Sequence, residues 1–290
     1  MNTPVYAPLS DMILEQGPEQ KDYLSINRIF QSQYAHDRKS FIDRFSTMRN
    51  KVKAFHDKRS IAGFCYLQPY GYAGDFELID RLYTGYISDD PAISNWDAFA
   101  QAQPAAVAVR NRKAYFINLL ERKRPLRVLN IASGPCRDIK EYYERHPLSA
   151  TEIDCVEVDG RAIEFAKNLL SYVRSVHFIQ QNVISFKIEK EYDLVWSAGL
   201  FDYFNDNLFV RILSKLIRRL PGKSEIVIGN FSDNNPNRAF MEVGMNWHLH
   251  HRSPEQLIHL AIRAGASDWN LRVEKEPEGI NLFLHLSKKA

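Results

Sequence analysis

The hydrophobic and polar positions between residues 126 and 288 alternate between strand-like and helix-like patterns. Short apolar runs end in small or polar residues, and amphipathic stretches follow most of them. The pattern predicts strands at 126–131, 153–159, 176–183, 192–196 and 225–231, helices at 138–146 and 208–220, the latter closed by Pro221 and Gly222, and a helix from Ser253, which begins a capping box, to near Gly265. The runs 269–276 and 281–287 read as a closing hairpin. This order is typical of an α/β sheet with an antiparallel edge strand.

The first predicted strand is followed by a tight turn, and the second ends in acidic residues. The small residues Ala132, Ser133 and Gly134 let a ligand approach the backbone closely. A carboxylate at the end of the next strand can accept hydrogen bonds from both hydroxyls of a ribose. Glu157 is the first candidate for this contact and Asp159 the second, so the segment predicts a nucleoside site.

The glycine content of this turn separates two classes of nucleoside cofactor. A dinucleotide needs a turn with several glycines, so that its pyrophosphate can sit on the helix N-terminus. Only Gly134 is present here, which disfavours NAD and FAD. S-adenosylmethionine has no phosphate and demands less of the turn. The turn alone is equally compatible with ordinary α/β packing without a cofactor.

The later strands favour the cofactor interpretation. The third predicted strand ends in Asn182 and Val183, where an adenine amino group can be hydrogen-bonded. The fourth leads into Ser197, Ala198 and Gly199, which form a floor of small residues. We expect all five residues to contact the cofactor.

Over about residues 111–288 the chain resembles class I S-adenosylmethionine-dependent methyltransferases, which share this order of turn, acidic strand end and segment after the fourth strand. A narrower resemblance extends over nearly the whole chain, to bacterial 3-hydroxypalmitate methyl ester (extracellular factor) biosynthesis methyltransferases. It rests on four blocks: Gly71–Leu78, Ala108–Arg112, Ser197–Tyr203 and Trp247–Leu249 with Arg252. The resemblance implies a Rossmann-like sheet, S-adenosylmethionine as cofactor and carboxyl O-methylation of a fatty or hydroxy acid. The chain departs from the family at the glycine-poor turn and at Asn182, where aspartate is common.

Residues 1–110 predict a separate helical domain, and residues 111–290 the S-adenosylmethionine-binding domain. The segment 68–75 is rich in glycine and aromatic residues, so we predict a lid whose Tyr72 and Asp75 contact the cofactor. An equally simple interpretation is that Asp75 caps the helix that follows. Arg110 or Arg112 can bind a carboxylate of the cofactor or of the substrate, and Arg110 is the candidate for the cofactor.

Aromatic and histidine residues after the fourth and fifth strands predict the acceptor pocket. Phe201, Tyr203, Trp247 and His248 are its candidate lining, with His248 and Tyr203 as catalytic residues. A histidine can act as a general base where the acceptor is a hydroxyl or an amine. The alternative for the aromatic residues is core packing, and for His248 an ordinary surface position.

Composition narrows the remaining classes. The net charge of +3 over 290 residues gives no strong nucleic-acid signal, and no apolar run is long enough for a membrane span. Cys65, Cys136 and Cys155 are scattered without the spacing of a metal site, so we predict no metal. These features favour a cytoplasmic enzyme of undetermined oligomeric state, and the resemblance above implies a bacterial one.

The leading hypothesis is therefore a methyltransferase acting on a small molecule. A tRNA or protein methyltransferase is the second. The third is a methyltransferase-like binding module without catalysis, motivated by the glycine-poor turn.

Overall fold

The computed structural model describes residues 16–220 and 224–288, which form two compact units. The first unit contains the described residues up to Val107 and a later segment, Pro236–His248. The second contains residues 108–235 and those from Leu249 onwards. Sequence patterns placed the boundary at residue 110 and assigned all later residues to the second domain. Nothing in those patterns indicated that Pro236–His248 belongs with the helical unit.

The first unit is helical, and short polar side chains begin its helices. Asp37, Ser60, Asp75 and Asp90 each accept a hydrogen bond from a backbone N–H in the first turn. The helices are α1 (Tyr23–His36), α2 (Arg38–Arg49), α3 (Ile61–Leu67), α4 (Phe76–Thr84), α5 (Pro91–Ala102) and α6 (Pro104–Lys123), which continues into the second unit, with 3-10 turns at Gln20–Asp22 and Lys53–Phe55 and a π turn at Phe240–Gly244.

Edge-to-face aromatic contacts build the core of the first unit. The ring of Phe240, in the π turn, lies 5.4 Å from that of Phe30, 5.1 Å from that of Phe99 and 6.5 Å from that of Phe55. All four side chains are buried. Because Phe240 touches helices that are distant in sequence, it ties the Pro236–His248 segment into this unit.

The second unit contains seven strands and the remaining helices. They are β1 (Arg127–Ile131), α7 (Arg137–Arg145), β2 (Glu152–Glu157), α8 (Gly160–Leu169), β3 (Val176–Gln180), β4 (Leu194–Ser197), a 3-10 turn at Phe201–Tyr203, α9 (Asp206–Arg219), β5 (Glu225–Phe231), α10 (Pro254–Arg263), β6 (Trp269–Lys275) and β7 (Asn281–Lys288). The strand order is β3-β2-β1-β4-β5-β7-β6. The first five strands pair in parallel, and β7 pairs antiparallel with β5 and β6. Pro221 and Gly222, predicted to close α9, lie outside the described residues.

Both faces of the sheet are covered, because successive side chains of a strand point to opposite faces. On β5, Ile226 and Ile228 belong to the core that includes residues of α9 and α10. Val227 belongs to the core that includes residues of α6, α7 and α8. A strand buried on both faces reads as a continuous apolar run, which is the pattern that predicted β5 at its observed bounds.

The predicted fold class is confirmed: a Rossmann-like α/β sheet with an antiparallel C-terminal hairpin and N-terminal helices. Two strands end earlier than predicted. β2 ends at Glu157, because Asp159 caps α8 instead of extending the strand. β3 ends at Gln180, and the Asn182 side chain accepts a hydrogen bond from the backbone N–H two residues later, which forms a turn. Among the described helices, none combines the length and apolar composition that a bilayer crossing requires.

We predict that Phe240→Ala destabilises the protein by about 3–5 kcal/mol, since it leaves a cavity among rings that cannot all move to fill it. Urea denaturation followed by circular dichroism measures the loss. Leu24→Ala is the control, because Leu24 is a large apolar residue of the same unit that is 72% exposed. The control should change stability by less than about 0.5 kcal/mol. Equal effects of the two substitutions would contradict the role of Phe240.

Candidate functional site

The turn after β1 adopts left-handed backbone at three positions. Ala132, Gly134 and Cys136 have φ of 54°, 57° and 56°. Only one of them is a glycine, and the other two adopt a conformation that side chains with a Cβ disfavour by about 1–2 kcal/mol. A Cβ built on Gly134 would meet no atom within 4 Å, so open space adjoins the turn there. The backbone shape usually supplied by several glycines is therefore present with one.

The Glu157 carboxylate closes this turn onto the end of β2. Its Oε2 accepts a hydrogen bond from the backbone N–H of Gly134 at 3.1 Å. Its Oε1 accepts from the backbone N–H groups of Val158 and Asp159 at 2.8 and 3.1 Å. The structure therefore brings together the predicted turn and the first-choice acid.

Asp159, the second-choice acid, is engaged differently. It caps α8, accepting from the backbone N–H of Arg161, and both its oxygens accept from the Arg161 guanidinium at 2.8 and 2.9 Å. This bidentate pair occupies the carboxylate with a local partner.

The predicted adenine contact lies beyond the end of β3. Asn182 is exposed, and its Oδ1 accepts from the Ile184 backbone N–H at 2.9 Å. Val183 is half-buried. The side-chain oxygen of Asn182 thus serves a local turn in this structure.

The segment after β4 contacts Arg112. Sequence analysis considered Arg112 as a carboxylate ligand but chose Arg110 as the candidate for the cofactor. Ser197 is fully buried and donates to the carbonyl of Ile131 at 3.1 Å. Arg112 donates to the carbonyl of Ala198 at 2.8 Å, and a Cβ built on Gly199 would lie 3.3 Å from the same guanidinium. A side chain at position 199 would require the Arg112 guanidinium to move by a few tenths of an ångström. Arg112 therefore packs against the predicted segment of small residues, Ser197 to Gly199.

Arg110, the arginine predicted to contact the cofactor, is half-buried in the same helix. Burial lowers the pKa of its guanidinium from the usual value. Arg112, two residues further along the helix, donates to the segment after β4.

Two buried carboxyl groups near Arg112 escaped the sequence analysis. Burial raises the pKa of Asp138 and of Asp202 to about 6, and the positive charge of Arg112 opposes both shifts. Asp202 is 1% exposed, and its Oδ1 makes no hydrogen bond to any residue in the described ranges. The Ser197–Tyr203 block contained Asp202, but nothing in the pattern distinguished it from a surface acid.

A buried arginine fixes the path of the chain after β4. Arg252 donates to the carbonyls of Phe201 and Phe204 at 3.2 and 2.5 Å and to Oδ1 of Asn230 at 2.8 Å. It also pairs with Asp206 at 3.0 Å. Arg252 was part of a resemblance block without an assigned role, and its role here is to hold this loop against β5.

The two predicted acceptor residues after β4, Phe201 and Tyr203, differ in burial. Phe201 is fully buried and packs against Phe204 and Phe209, with ring centroids 5.5 and 4.9 Å apart. The structure places this side chain in the hydrophobic core, which is the core-packing alternative to pocket lining. Tyr203 is half-buried.

Trp247 and His248 belong to the first unit, whereas Tyr203 belongs to the second. Trp247 is 5% exposed. Half of the His248 side chain is exposed, and its Nδ1 lies 3.6 Å from the Glu242 carboxylate. An acceptor pocket that includes Tyr203, Trp247 and His248 therefore stays a prediction.

The predicted lid residues also belong to the first unit. Asp75 caps α4 by accepting from the backbone N–H groups of Glu77 and Leu78, both at 3.0 Å. It is buried, and burial raises its pKa to about 6. Tyr72 is 38% exposed. The capping alternative for Asp75 is therefore what the structure shows.

Within residues 16–220 and 224–288, no group of three or more His, Cys, Asp and Glu side chains is placed to hold a metal ion. Cys65, Cys136 and Cys155 are buried free thiols.

Comparison with known proteins assigns the class. Residues 128–222 match the family described as "Methyltransferase domain". The chain is also 25% identical over 121 residues to malonyl-[acyl-carrier protein] O-methyltransferase 1 of Ilyobacter polytropus, a match that covers 42% of this chain and 42% of that protein. The alignment thus spans less than half of the relative.

Solved structures share the fold. A possible exported protein from Bordetella parapertussis has a TM-score of 0.62 at 18% identity, covering 74% of this chain and 80% of that chain. The S-adenosylmethionine-dependent methyltransferase SibL gives 0.55 at 12% identity, covering 81% of this chain and 72% of that chain. The N-methyltransferase NodS from Bradyrhizobium japonicum, solved with S-adenosyl-L-homocysteine, has a TM-score of 0.50 at 14% identity. The match covers 74% of this chain and 98% of that chain.

The sheet and the turn after β1 form a Rossmann-like unit. Within it, residues 128–222 match a methyltransferase domain, and the cofactor that this match supports is S-adenosylmethionine.

The buried carboxyl of Asp202 predicts a pH-dependent difference in stability. Because the folded state holds its proton up to about pH 6, its contribution to stability is complete below about pH 4 and is lost as the pH rises through 6. Asp202→Asn removes this loss. We expect the variant to gain stability relative to wild type between pH 4 and 7, by on the order of 2–3 kcal/mol.

Urea denaturation of the cofactor-free protein at several pH values measures this difference. Asp268→Asn, at an exposed position, is the control and should run parallel to wild type. A constant gap between Asp202→Asn and wild type across this range would contradict a raised pKa for the buried Asp202 carboxyl group.

Proposed function

We propose that this methyltransferase domain transfers a methyl group to a small-molecule acceptor, and that the acceptor group is the carboxylate of a fatty or hydroxy acid. The observation that carries the cofactor site is the contact between Glu157 and the left-handed turn at Gly134. The resemblance to methyl ester biosynthesis enzymes supports the carboxylate. A distant relative is named malonyl-[acyl-carrier protein] O-methyltransferase 1, and O-methylation of an acyl-type acceptor is consistent with this proposal.

The residues around the turn fit S-adenosylmethionine. The cofactor carries ribose hydroxyls and an ammonium group, all of which are hydrogen-bond donors. The site offers acceptors for them: the Glu157 carboxylate and Asp202, whose Oδ1 is buried without a partner among the described residues. Gly134, with open space beside it, permits close approach to the backbone. In this proposal Glu157 holds the ribose, and Ser197 to Gly199 form the floor.

Glu157 is preferred over Asp159 for a physical reason. Both acids accept backbone N–H groups, but Asp159 is also held by a guanidinium in a bidentate pair. Ribose binding by Asp159 would require breaking that pair. Glu157 accepts from Gly134 of the turn itself, so its position is coupled to the turn.

The chemistry asks for alignment more than for acid or base groups. The cofactor supplies a methyl group that its positively charged sulfur already activates. A carboxylate acceptor is ionised at neutral pH and needs no base, so the protein's contribution is to hold donor and acceptor in line and to exclude water. Tyr203, half-buried just after β4, is the described residue of the second unit that we assign to the acceptor. His248 is needed as a base only for a hydroxyl or amine acceptor.

The glycine-poor turn, which motivated a non-catalytic binding module, gives that alternative little support. Ala132 and Cys136 take the left-handed conformation without being glycines. The turn therefore has the required backbone shape.

Incubating the full chain with S-adenosylmethionine and a bacterial metabolite extract, followed by mass spectrometry, tests the function directly. We expect a product heavier by one methyl group that is an ester and releases an acid on alkaline hydrolysis. A methylated product that resists hydrolysis would move the acceptor to nitrogen or to an ether oxygen. Cofactor binding without any methylated product would favour the binding module.

We predict that Glu157→Gln weakens S-adenosylhomocysteine binding roughly 10- to 150-fold, since a charge-assisted hydrogen bond contributes about 1.5–3 kcal/mol. Glutamine keeps the size of the side chain but only one acceptor oxygen, so it can keep either the hydrogen bond from Gly134 or those from Val158 and Asp159. Circular dichroism checks that the variant stays folded. Isothermal titration calorimetry measures the affinity. Asp159→Asn is the matched control and should stay within a few fold of wild type. The opposite ranking would assign the ribose to Asp159, and two unaffected variants would remove this site from cofactor binding.

We predict that Tyr203→Ala lowers kcat or raises the acceptor KM while S-adenosylhomocysteine affinity stays within a few fold, because only acceptor contacts are removed. Steady-state kinetics with the trapped acceptor and calorimetry with S-adenosylhomocysteine separate the two effects. Tyr172→Ala, at an exposed tyrosine of the same unit, should leave both unchanged. A large loss of cofactor affinity in Tyr203→Ala would place this residue at the cofactor instead.

A further inference from the structure

A buried carboxylate in the first unit gathers three positively charged or protonatable side chains. Glu242 lies in the π turn, and its side chain is 2% exposed. Its oxygens accept from Tyr34 at 2.5 Å, from Arg38 Nη2 at 2.5 Å and from Arg238 Nε at 2.8 Å. His248 Nδ1 lies 3.6 Å away. Isolated π turns are frequent at functional sites.

The carboxylate is ionised despite its burial. Burial raises the pKa of Glu242, but hydrogen bonds from Tyr34 and Arg238 and the charges of Arg238 and Arg38 outweigh this and hold it below the usual value. One negative charge therefore faces two guanidinium groups, and the cluster of Tyr34, Arg38, Arg238, Glu242 and His248 carries a net positive charge of one with His248 neutral.

The cations of this cluster are only partly covered. The side chains of Arg38, Arg238 and His248 are 49%, 43% and 51% exposed, while Glu242 beneath them is buried. A guanidinium has five N–H donors, and each arginine has one donor placed on Glu242 by the contacts above. Both therefore retain donors for another acceptor.

Several contacts fix the cluster in place. The Arg38 guanidinium lies over the Tyr34 ring, 5.1 Å from its centroid. His248 Nε2 lies 3.1 Å from Asn246 Oδ1, and Asn246 has a left-handed φ of 52°, which is uncommon for a residue with a side chain. Guanidinium groups held in advance lose little entropy when they bind an anion bidentately.

We propose that Arg38, Arg238 and His248 form a binding site for an anionic group, a carboxylate or a phosphate, and that Glu242 is the positioning residue that orients the two guanidinium groups. One cation would be enough to neutralise the Glu242 carboxylate and anchor the π turn to α1 and α2. Two arginines, Arg38 and Arg238, pair with it instead, and about half of each arginine side chain is exposed. Where the anion is part of the methyl acceptor, the inference rests on the proposed function. Anion binding itself does not.

Thermal unfolding of the full chain in phosphate, acetate and chloride at matched ionic strength tests the site. We expect phosphate or acetate to raise the melting temperature with a saturable concentration dependence, whereas chloride does not. Saturation by phosphate alone assigns a phosphorylated ligand, and saturation by acetate assigns a carboxylate. No saturable effect of either anion on wild type would overturn the proposal.

Substitutions locate the effect. Arg38→Gln with Arg238→Gln should weaken the apparent anion affinity at least tenfold, while Arg28→Gln, at an exposed arginine of α1, should leave it unchanged. If the double glutamine variant does not fold, Arg38→Lys with Arg238→Lys keeps both charges but removes the planar fork, and should still weaken binding several-fold. Unchanged affinity in the folded double variant would overturn the site.

Glu242→Gln separates positioning from charge. It removes a negative charge and so would strengthen anion binding if charge alone mattered. We expect weaker binding, since the guanidinium groups lose their anchor, and tighter binding would overturn the positioning role. S-adenosylhomocysteine calorimetry on the same variants keeps the two proposals distinct. Anion binding without cofactor binding in wild type would refute the proposed function alone, and the converse would refute the anion site alone.

Discussion

The parallel pairing of β1 with β2 and with β4 is the constraint on which the site depends. Ile131 pairs with Val156, and Asn130 pairs with Trp196. This register fixes where the three strands end, so the turn after β1 lies beside the ends of both neighbours. The hydrogen bond from the turn to Glu157 exists because of this register. A shift by one residue would turn each of these side chains to the opposite face.

Electrostatics in the second unit follow from that arrangement. The buried Arg112 holds the segment after β4 by donating a hydrogen bond to the backbone carbonyl of Ala198. Burying one cation makes nearby acids tolerable, so Asp138 and Asp202 remain in an interior that raises the pKa of each.

Sequence patterns predicted the fold well because period and turn chemistry are local. The apolar run of β5 and the capping box before α10 gave their elements directly. The position of Glu157 at the end of β2 was predictable for the same reason, since an acid at a strand end is visible in the sequence. The burial of Asp202 and the contacts of Arg112 were not predictable, because they depend on residues distant in sequence. The burial of Phe201 could not be distinguished from pocket lining, since an aromatic residue after a strand gives the same sequence pattern in both cases.

The segment Pro236–His248 was also hidden, because its anchor is Phe240 among rings from α1 and α5 and no periodicity in that segment records such a partner. Its membership in the helical unit divides the predicted acceptor residues between the two units. Local patterns therefore predicted the helices and strands of each unit well, but they did not predict which unit the segment Pro236–His248 belongs to.

The contacts of Arg252 bear on how this protein family can diversify. Arg252 holds the loop after β4 mainly through the backbone carbonyls of Phe201 and Phe204, which every amino acid supplies. These two contacts do not involve the side chain at position 203 between them. Under the proposed function, a substitution at that position would change the surface offered to the acceptor and leave both contacts available, so substrate preference could change without loss of these anchors.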